Sequence, residues 1–336
     1  MEKVERNNIK PVIYGILLSL AIGILAHFLG REIPLVGGSV FAITIGMLVN
    51  ALVHPVRFSK GIAMVSKKGL QYSIVLIGMG LNLRQVWDVG RQSVLIMLCT
   101  IASGLIAAWL FGKALGISRN TIILIGVGTS ICGGSAIAAT APVISAEDDD
   151  VAYAISTIFL FNILAVFIFP ALGRALGMDD IRFGMWAGTA INDTSSVVAA
   201  AFSYSEAAGE FATVVKLTRT LMIIPITLSL AIYSARRTHT GQRGKRLDVV
   251  KIFPWFVLGF LAAVIINTAL PASAAPAAAL LNRIGKFGIV VAMAAIGLNT
   301  DLKKLISNGI RPIMLGLVCW GAVAVTSLLL QSAMGI

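Results

Sequence analysis

The sequence predicts an all-α fold: a polytopic membrane protein of about eleven transmembrane helices, some discontinuous, in an inverted-repeat transporter architecture. Three observations predict it. First, 57% of the 336 residues are hydrophobic, 12% are charged, and the mean hydropathy is +0.91, a composition foreign to soluble globular domains. Second, apolar runs of spanning length recur along the whole chain. Third, IGMGLNLRQVWDVG at 77–90 resembles AAIGLNTDLKKLISNG at 294–309, and the two copies fall on spans of opposite direction, as inverted-topology repeats do.

The apolar runs lie at roughly 11–30, 34–53, 69–87, 92–112, 120–144 and 151–173, then 182–203, 211–233, 252–271, 284–302 and 311–333. Each is long enough to cross a hydrocarbon core of about 30 Å. No connection is long enough for a second domain, so residues 1–336 are expected to form one transmembrane domain with halves at about 11–173 and 182–333. The first run lacks a small-residue cleavage site and is expected to stay as a span.

The net charge of +12 does not point to nucleic acid, because the basic residues sit in short loops between apolar runs. With the N-terminus cytoplasmic, the inner loops carry Arg57, Lys60, Lys67 and Lys68, then Lys113 and Arg119, then Arg174 and Arg182. Arg236, Arg237, Arg243, Lys245, Arg246 and Lys251 follow, and finally Lys303, Lys304 and Arg311. The outer loops hold Glu147, Asp148, Asp149, Asp150, Glu206 and Glu210, with Arg84 and Arg91 as exceptions. This positive-inside alternation predicts a bacterial inner-membrane protein with its C-terminus outside. Cys99, Cys132 and Cys319 lie in apolar runs without metal-ligand spacing, so neither a disulfide framework nor a metal site is expected, and no cofactor.

The stretch GTSICGGSAIAATAP at 128–142 interrupts its apolar run. Paired Gly133 and Gly134 weaken a helix, and Thr129, Ser130, Cys132 and Ser135 gather polar groups at one depth. We expect a broken helix whose second half begins near Ser135, with its N-terminal dipole toward an anion. Broken backbone survives in lipid only against a cavity or other protein. The opposing reading is close helix packing through small residues. GTAINDTSSVVAA at 188–199 echoes this stretch, but an eleven-span count orients the two copies in parallel. Either a segment between them does not cross fully, or the echo is compositional.

Intramembrane polar groups supply the other candidates. Asp193, flanked by Asn192, Thr194, Ser195 and Ser196, is costly at membrane depth and is a candidate for a coupling ion or proton, or else a partner for a neighbouring cation. Lys216 and Arg219 share a helix face. Lys216 is expected to snorkel to the outer headgroups, and the deeper Arg219 to hold an oxyanion or pair with Asp193. Asn82 and Asn299 follow a glycine in both repeats and read either as site residues or as helix C-caps. Asn162 is expected to bond between helices. His27, His54 and His239 lie near span ends or in a loop and are not expected to act in catalysis.

GTSICGGSAIAATAPVI at 128–144, VVKLTRTLMIIP at 214–225 and the eleven-run layout resemble the YeiH-like family of bacterial inner-membrane proteins, often labelled sulfate exporters. More distantly, GMGLNL at 78–83 and CGGSA at 132–136 are similar to motifs of bile-acid-symporter-type carriers. That likeness implies two broken helices crossing at the centre and a core bundle that rocks against a panel. Some YeiH-like proteins carry a His-Glu pair near where this chain has Asn192 and Asp193, so a histidine-based proton role is not implied here.

Together these readings predict a secondary transporter, not an enzyme. It would export a small anion, sulfate or another sulfur oxyanion by the resemblance, with a proton or sodium as coupling ion. Beyond lipid, anion and coupling ion, a second copy of the chain is the one partner left open. The alternatives are a membrane-embedded ion-pump subunit or enzyme component, and a channel. No P-loop pattern is present, so ATP-driven transport has no sequence support.

Overall fold

The computed structural model describes residues 2–33, 36–237, 255–301 and 309–335. The basic connection expected at 238–251, the lysine pair Lys303 and Lys304, and much of the second repeat's tail lie outside the described residues. The described residues are mostly helical, without a strand. Among the described residues, six helices are long and apolar enough to cross a membrane: Lys10–Glu32, Leu83–Ala114, Asp148–Ala175, Glu206–Leu230, Ala275–Asn299 and Ile310–Met334. Gly38–Val53 and Trp255–Ala269 are shorter apolar helices.

In chain order the helices are α1 Glu2–Glu32, α2 Gly38–Val53, α3 Ser59–Met64, α4 Leu70–Ile77, α5 Leu83–Ala114, α6 Arg119–Ser130, α7 Gly134–Thr140 and α8 Asp148–Ala175. Then come α9 Asp180–Ala190, α10 Thr194–Tyr204, α11 Glu206–Thr220, α12 Ile223–Arg237, α13 Trp255–Ala269, α14 Ala275–Asn299 and α15 Ile310–Met334. A π-helical turn at Val65–Gly69 joins α3 to α4, so the helix of the expected third span starts at Ser59, ten residues before its apolar run.

The chain forms two compact units that interleave in sequence. One comprises Met1–Trp87, Val198–Glu210 and Trp255–Leu302; the other Asp88–Val197, Phe211–Pro254 and Lys303–Ile336. Each draws on both halves of the chain. In the first unit α14 packs along α2, α4 and α1. Its helices approach glycine to glycine: a Cβ on Gly46 would sit 3.0 Å from the Gly297 Cα, and one on Gly15 3.0 Å from the Gly61 Cα. Small residues are what allow backbones this close in apolar surroundings.

In the second unit the fifth apolar run does not run through. It folds back on itself. α6 packs against both α7 and α8, and a Cβ on Gly128 of α6 would be 3.0 Å from the Ile137 side chain of α7. The carboxylate of Asp150, in the first turn of α8, accepts hydrogen bonds from Ser118 and Thr121 at the start of α6, both 2.5 Å. The chain therefore leaves this segment at the end where it entered. The expectation of one broken but continuous span at 120–144 is corrected to a helical hairpin, α6–α7.

A second hairpin follows. Met185 of α9 clusters with Phe211 and Val215 of α11, and a Cβ on Gly188 would sit 2.7 Å from the Val215 Cβ. α9 and α11 thus run in the same direction. α10 and α11 are joined at Ser205 alone and pack through Phe202 and Gly209, so α10 runs back against α11. It follows that α9 and α10 are antiparallel, with their reversal at Ile191–Asp193.

Candidate functional site

The two hairpins differ in how their tips turn. At the first, α6 ends at Ser130, and Gly133 has φ 69°, a conformation glycine adopts without the penalty a side chain would bring. Of the glycine pair, Gly133 carries the constraint: its Cβ would touch Asp193 and Ile158 at 3.4 Å, whereas one on Gly134 would meet only Phe159 at 3.7 Å. At the second tip, the half-buried Asp193 takes the role of an N-cap. Its carboxylate accepts from the Ser195 amide at 3.0 Å and from the Ser195 hydroxyl, satisfying the exposed donors of the α10 start.

A pair of helix ends with free carbonyls is thereby buried, and α11 supplies their donors. The Lys216 ammonium donates to the carbonyls of Ile131, 3.0 Å, and Ile191, 2.8 Å. It bridges the two tips. The Arg219 guanidinium donates through Nε to Ser130 O at 2.8 Å, through Nη2 to Thr129 O at 3.0 Å, and through Nη1 to Thr189 O. Both side chains are fully buried. Cations belong at helix C-termini, where the macrodipole is negative and carbonyls lack intrahelical partners. The snorkelling expected of Lys216 is overturned. α11 starts at Glu206, five residues before the apolar run suggested, which puts Lys216 about 15 Å along the helix.

Arg219 has all three of its nitrogens engaged with carbonyls, which leaves one N–H on each Nη. It does not pair with Asp193, whose carboxylate is turned to Ser195. Asn162, on α8, accepts from the Asp193 amide at 3.1 Å and so ties α8 to the second tip, an interhelical bond as expected.

Several buried polar atoms around the tips have no partner within the described residues: Thr129 Oγ1, Ser130 Oγ, Asn162 Nδ2 and both amide atoms of Asn192. Unsatisfied buried groups are costly and rare, and a cluster of them marks a place for a polar ligand or water. Thr194 and Ser195 are buried beside them, and so is Cys132. Ser135 is exposed and Gly134 half-buried.

Asn82 and Asn299 belong to the other compact unit and have local partners. Asn82 Oδ1 accepts from the Gln85 amide at 2.9 Å while Gln85 Oε1 accepts from the Asn82 amide at 3.0 Å. This is a capping box at the start of α5, not the C-cap considered for it. Asn299 ends α14 and donates to Ser66 Oγ at 3.2 Å. No group of three or more His, Cys, Asp or Glu that could hold a metal occurs among the described residues.

Sequence comparison places this chain among known proteins. The family model described as conserved hypothetical protein 698 matches residues 14–316. A UPF0324 membrane protein of Streptococcus pyogenes is 48% identical over 96% of this chain and 97% of its own length. One from Fusobacterium nucleatum is 44% identical over 96% and 99%, and one from Streptococcus mutans 47% over 96% and 97%. Relatives carrying that name and the apolar helices agree on a multi-pass, membrane-embedded protein. With matches of this extent, the chain belongs to the conserved hypothetical protein 698 family, the YeiH-like UPF0324 membrane proteins.

Proposed function

We propose that this protein is a secondary transporter of a small anion, working by alternating access around the meeting tips of two re-entrant hairpins. The observation that carries the reading is the Lys216 bridge between Ile131 O and Ile191 O, with unpartnered polar atoms around it. Non-helical backbone is tolerated at membrane depth only where protein or a water-filled cavity receives it. Two such tips meeting there make a site reachable from either face.

In this reading the eleven apolar runs become nine crossings and two hairpins. One crossing, α8, separates the hairpins, so they enter from opposite faces. The echo between 128–139 and 188–199 is then an inverted pair, which the eleven-span path could not accommodate. Removing two crossings keeps the N-terminus cytoplasmic and the C-terminus outside. It moves Glu147–Asp150 to the inner face and Arg174–Arg182 to the outer face, where Asp179 and Asp180 balance the arginines. In a cysteine-free background, Lys113→Cys and Glu147→Cys should react with an impermeant maleimide from the same face, and Leu176→Cys from the other. Labelling of the first two from opposite faces would restore the through-running fifth span.

The anion reading rests on the unpartnered polar groups at the tips and on the family resemblance, since the two positive charges of Lys216 and Arg219 are offset by the partial negative ends of two helices, each about half a charge, and by the carboxylate of Asp193. The anion would bind Asn192, Asn162, Thr129 and Ser130, with the cations acting through the carbonyls they polarise. Asp193 is the group to take a coupling proton or sodium ion. Sulfate is the first anion to try, and outward transport the first direction, both on the family resemblance. The test is transport by purified protein alone in liposomes, with labelled sulfate, sulfite and thiosulfate. Saturable, gradient-driven movement that Asn192→Ala abolishes supports the carrier. Unsaturable conductance would favour a channel. Inactivity with every anion, together with ion movement only when a partner protein is added, would favour the pump-subunit reading.

A further inference from the structure

The first compact unit holds a cavity of about 900 Å³ that is separate from the hairpin tips. It lies among the ends of α1 and α10, the starts of α2 and α11, and α14. Its lining includes Arg31, Ser39, Arg283, Lys286, Phe202 and Phe287. We propose that this cavity binds an organic anion: an oxyanion head, phosphate or sulfonate, carried on an apolar body.

Three independent features point to the head. Arg31 and Arg283 have no acidic partner among the described residues, whereas Lys286 is held by Glu206 at 3.0 Å and Glu210 at 3.2 Å. The cavity therefore keeps two uncompensated guanidinium groups, the side chain best shaped for a tetrahedral oxyanion. The second feature is the start of α2, which opens on the cavity through Gly37, Gly38 and Ser39. Gly37 has φ 78° and this 16-residue helix has no side-chain cap, so its first amides are available to an anion. The third is Ser39, only 4% exposed, which lines the cavity and makes no side-chain hydrogen bond among the described residues. A Cβ on Gly30 would run into the Gly38 backbone, and this glycine contact holds the end of α1, with Arg31, against the α2 start.

The remaining walls favour an apolar body. Phe202, Phe287 and Val290 line the cavity, with His27 edge-on to Phe287 at 5.5 Å. A volume of about 900 Å³ exceeds what a bare inorganic ion fills and lies in the range of organic-ligand pockets, about 300–1,000 Å³. The same head chemistry occurs on soluble aryl or alkyl phosphates and on anionic phospholipids, and the probes separate these sources.

The experiment uses the full-length protein in nanodiscs of zwitterionic lipid. Binding of phenyl phosphate is measured by calorimetry, and that of short-chain phosphatidylglycerol by the shift in unfolding temperature. Binding of phenyl phosphate alone assigns a soluble ligand, and of phosphatidylglycerol alone a lipid headgroup; both outcomes support the site. Arg31→Gln and Arg283→Gln should each weaken the probe that binds by about tenfold, the size of one charge-assisted hydrogen bond. Because both arginines are exposed, the variants should fold, which their unfolding temperature without probe checks. Failure of both probes to bind the native protein, or binding unchanged in both variants, overturns the proposal. Neither outcome bears on transport at the hairpin tips.

Discussion

The two hairpin tips solve one problem by opposite means. Each reverses a helix inside a membrane protein, leaving amides unpaired on one arm and carbonyls on the other. The first tip turns on backbone freedom, with Gly133 at φ 69° and no side-chain cap on α7. The second turns on a side chain, Asp193, which bonds the Ser195 amide. Only the carbonyl side is handled in common, by Lys216 and Arg219. The comparison teaches that the cations are structural partners of both hairpins, while the two amide sides are free to differ, and one of them carries a carboxylate.

The largest effect should come from the shared element. Arg219→Gln leaves carbonyls of Thr129, Ser130 and Thr189 without their charged donor. Each such bond is worth about 1.5–3 kcal/mol, so the variant should lose most of its folded yield in detergent. Lys216→Met removes donors from only two carbonyls and should be damaged less. Unfolding temperature and monodispersity measure both. An Arg219→Gln protein as stable as the native one would show that the hairpins do not depend on this residue.

The next effects separate the tips. Gly133→Ala forces a Cβ onto a backbone at φ 69° and ψ −129°, a conformation almost confined to glycine, costing about 1–3 kcal/mol, and brings it against Asp193. Asp193→Asn keeps an N-cap of equal quality and should leave stability within about 0.5 kcal/mol, while transport loses its dependence on the coupling ion. Stability should therefore fall at the first tip and function at the second. The reverse pattern, a stable Gly133→Ala and an unfolded Asp193→Asn, would erase the distinction.

Much of this was legible in the sequence, and the misses have physical causes. Class and membrane embedding follow from composition. The break at Gly133 follows from the cost of glycine in a helix. The return path does not, because hydropathy measures apolar length and is blind to direction: a hairpin of α6 and α7 is as apolar as one span. The echo at 188–199, parallel in an eleven-span count, was the sign that the path was wrong. Asp193-Thr194-Ser195 is also a helix-start signal, and it marked the second break. Lys216 was misplaced because Glu206 and Glu210 look like loop residues, although they begin α11. That Arg219 serves carbonyls could not be read at all, since its partners lie about ninety and thirty residues away.

The smallest effect concerns two asparagines that sequence reasoning treated alike. Asn192 is buried with both amide atoms unpartnered, so Asn192→Ala removes no bond in the described structure and should cost little stability while ending transport. Asn82 has the opposite profile. Its side chain is exposed and already committed to the Gln85 amide, and the next amide, Leu83, is held by Thr268 at 2.9 Å. Asn82→Ala should cost about 1 kcal/mol, the usual price of an N-cap. Asn82→Asp should recover it, since aspartate caps as well and favours the positive end of the helix. Transport per folded molecule should match the native protein in both variants, measured in liposomes normalised to inserted protein. If Asn82→Ala instead silences transport while stability holds, then the Gly-Leu-Asn repeat belongs to the transport site, and the capping box is incidental to why asparagine stands there.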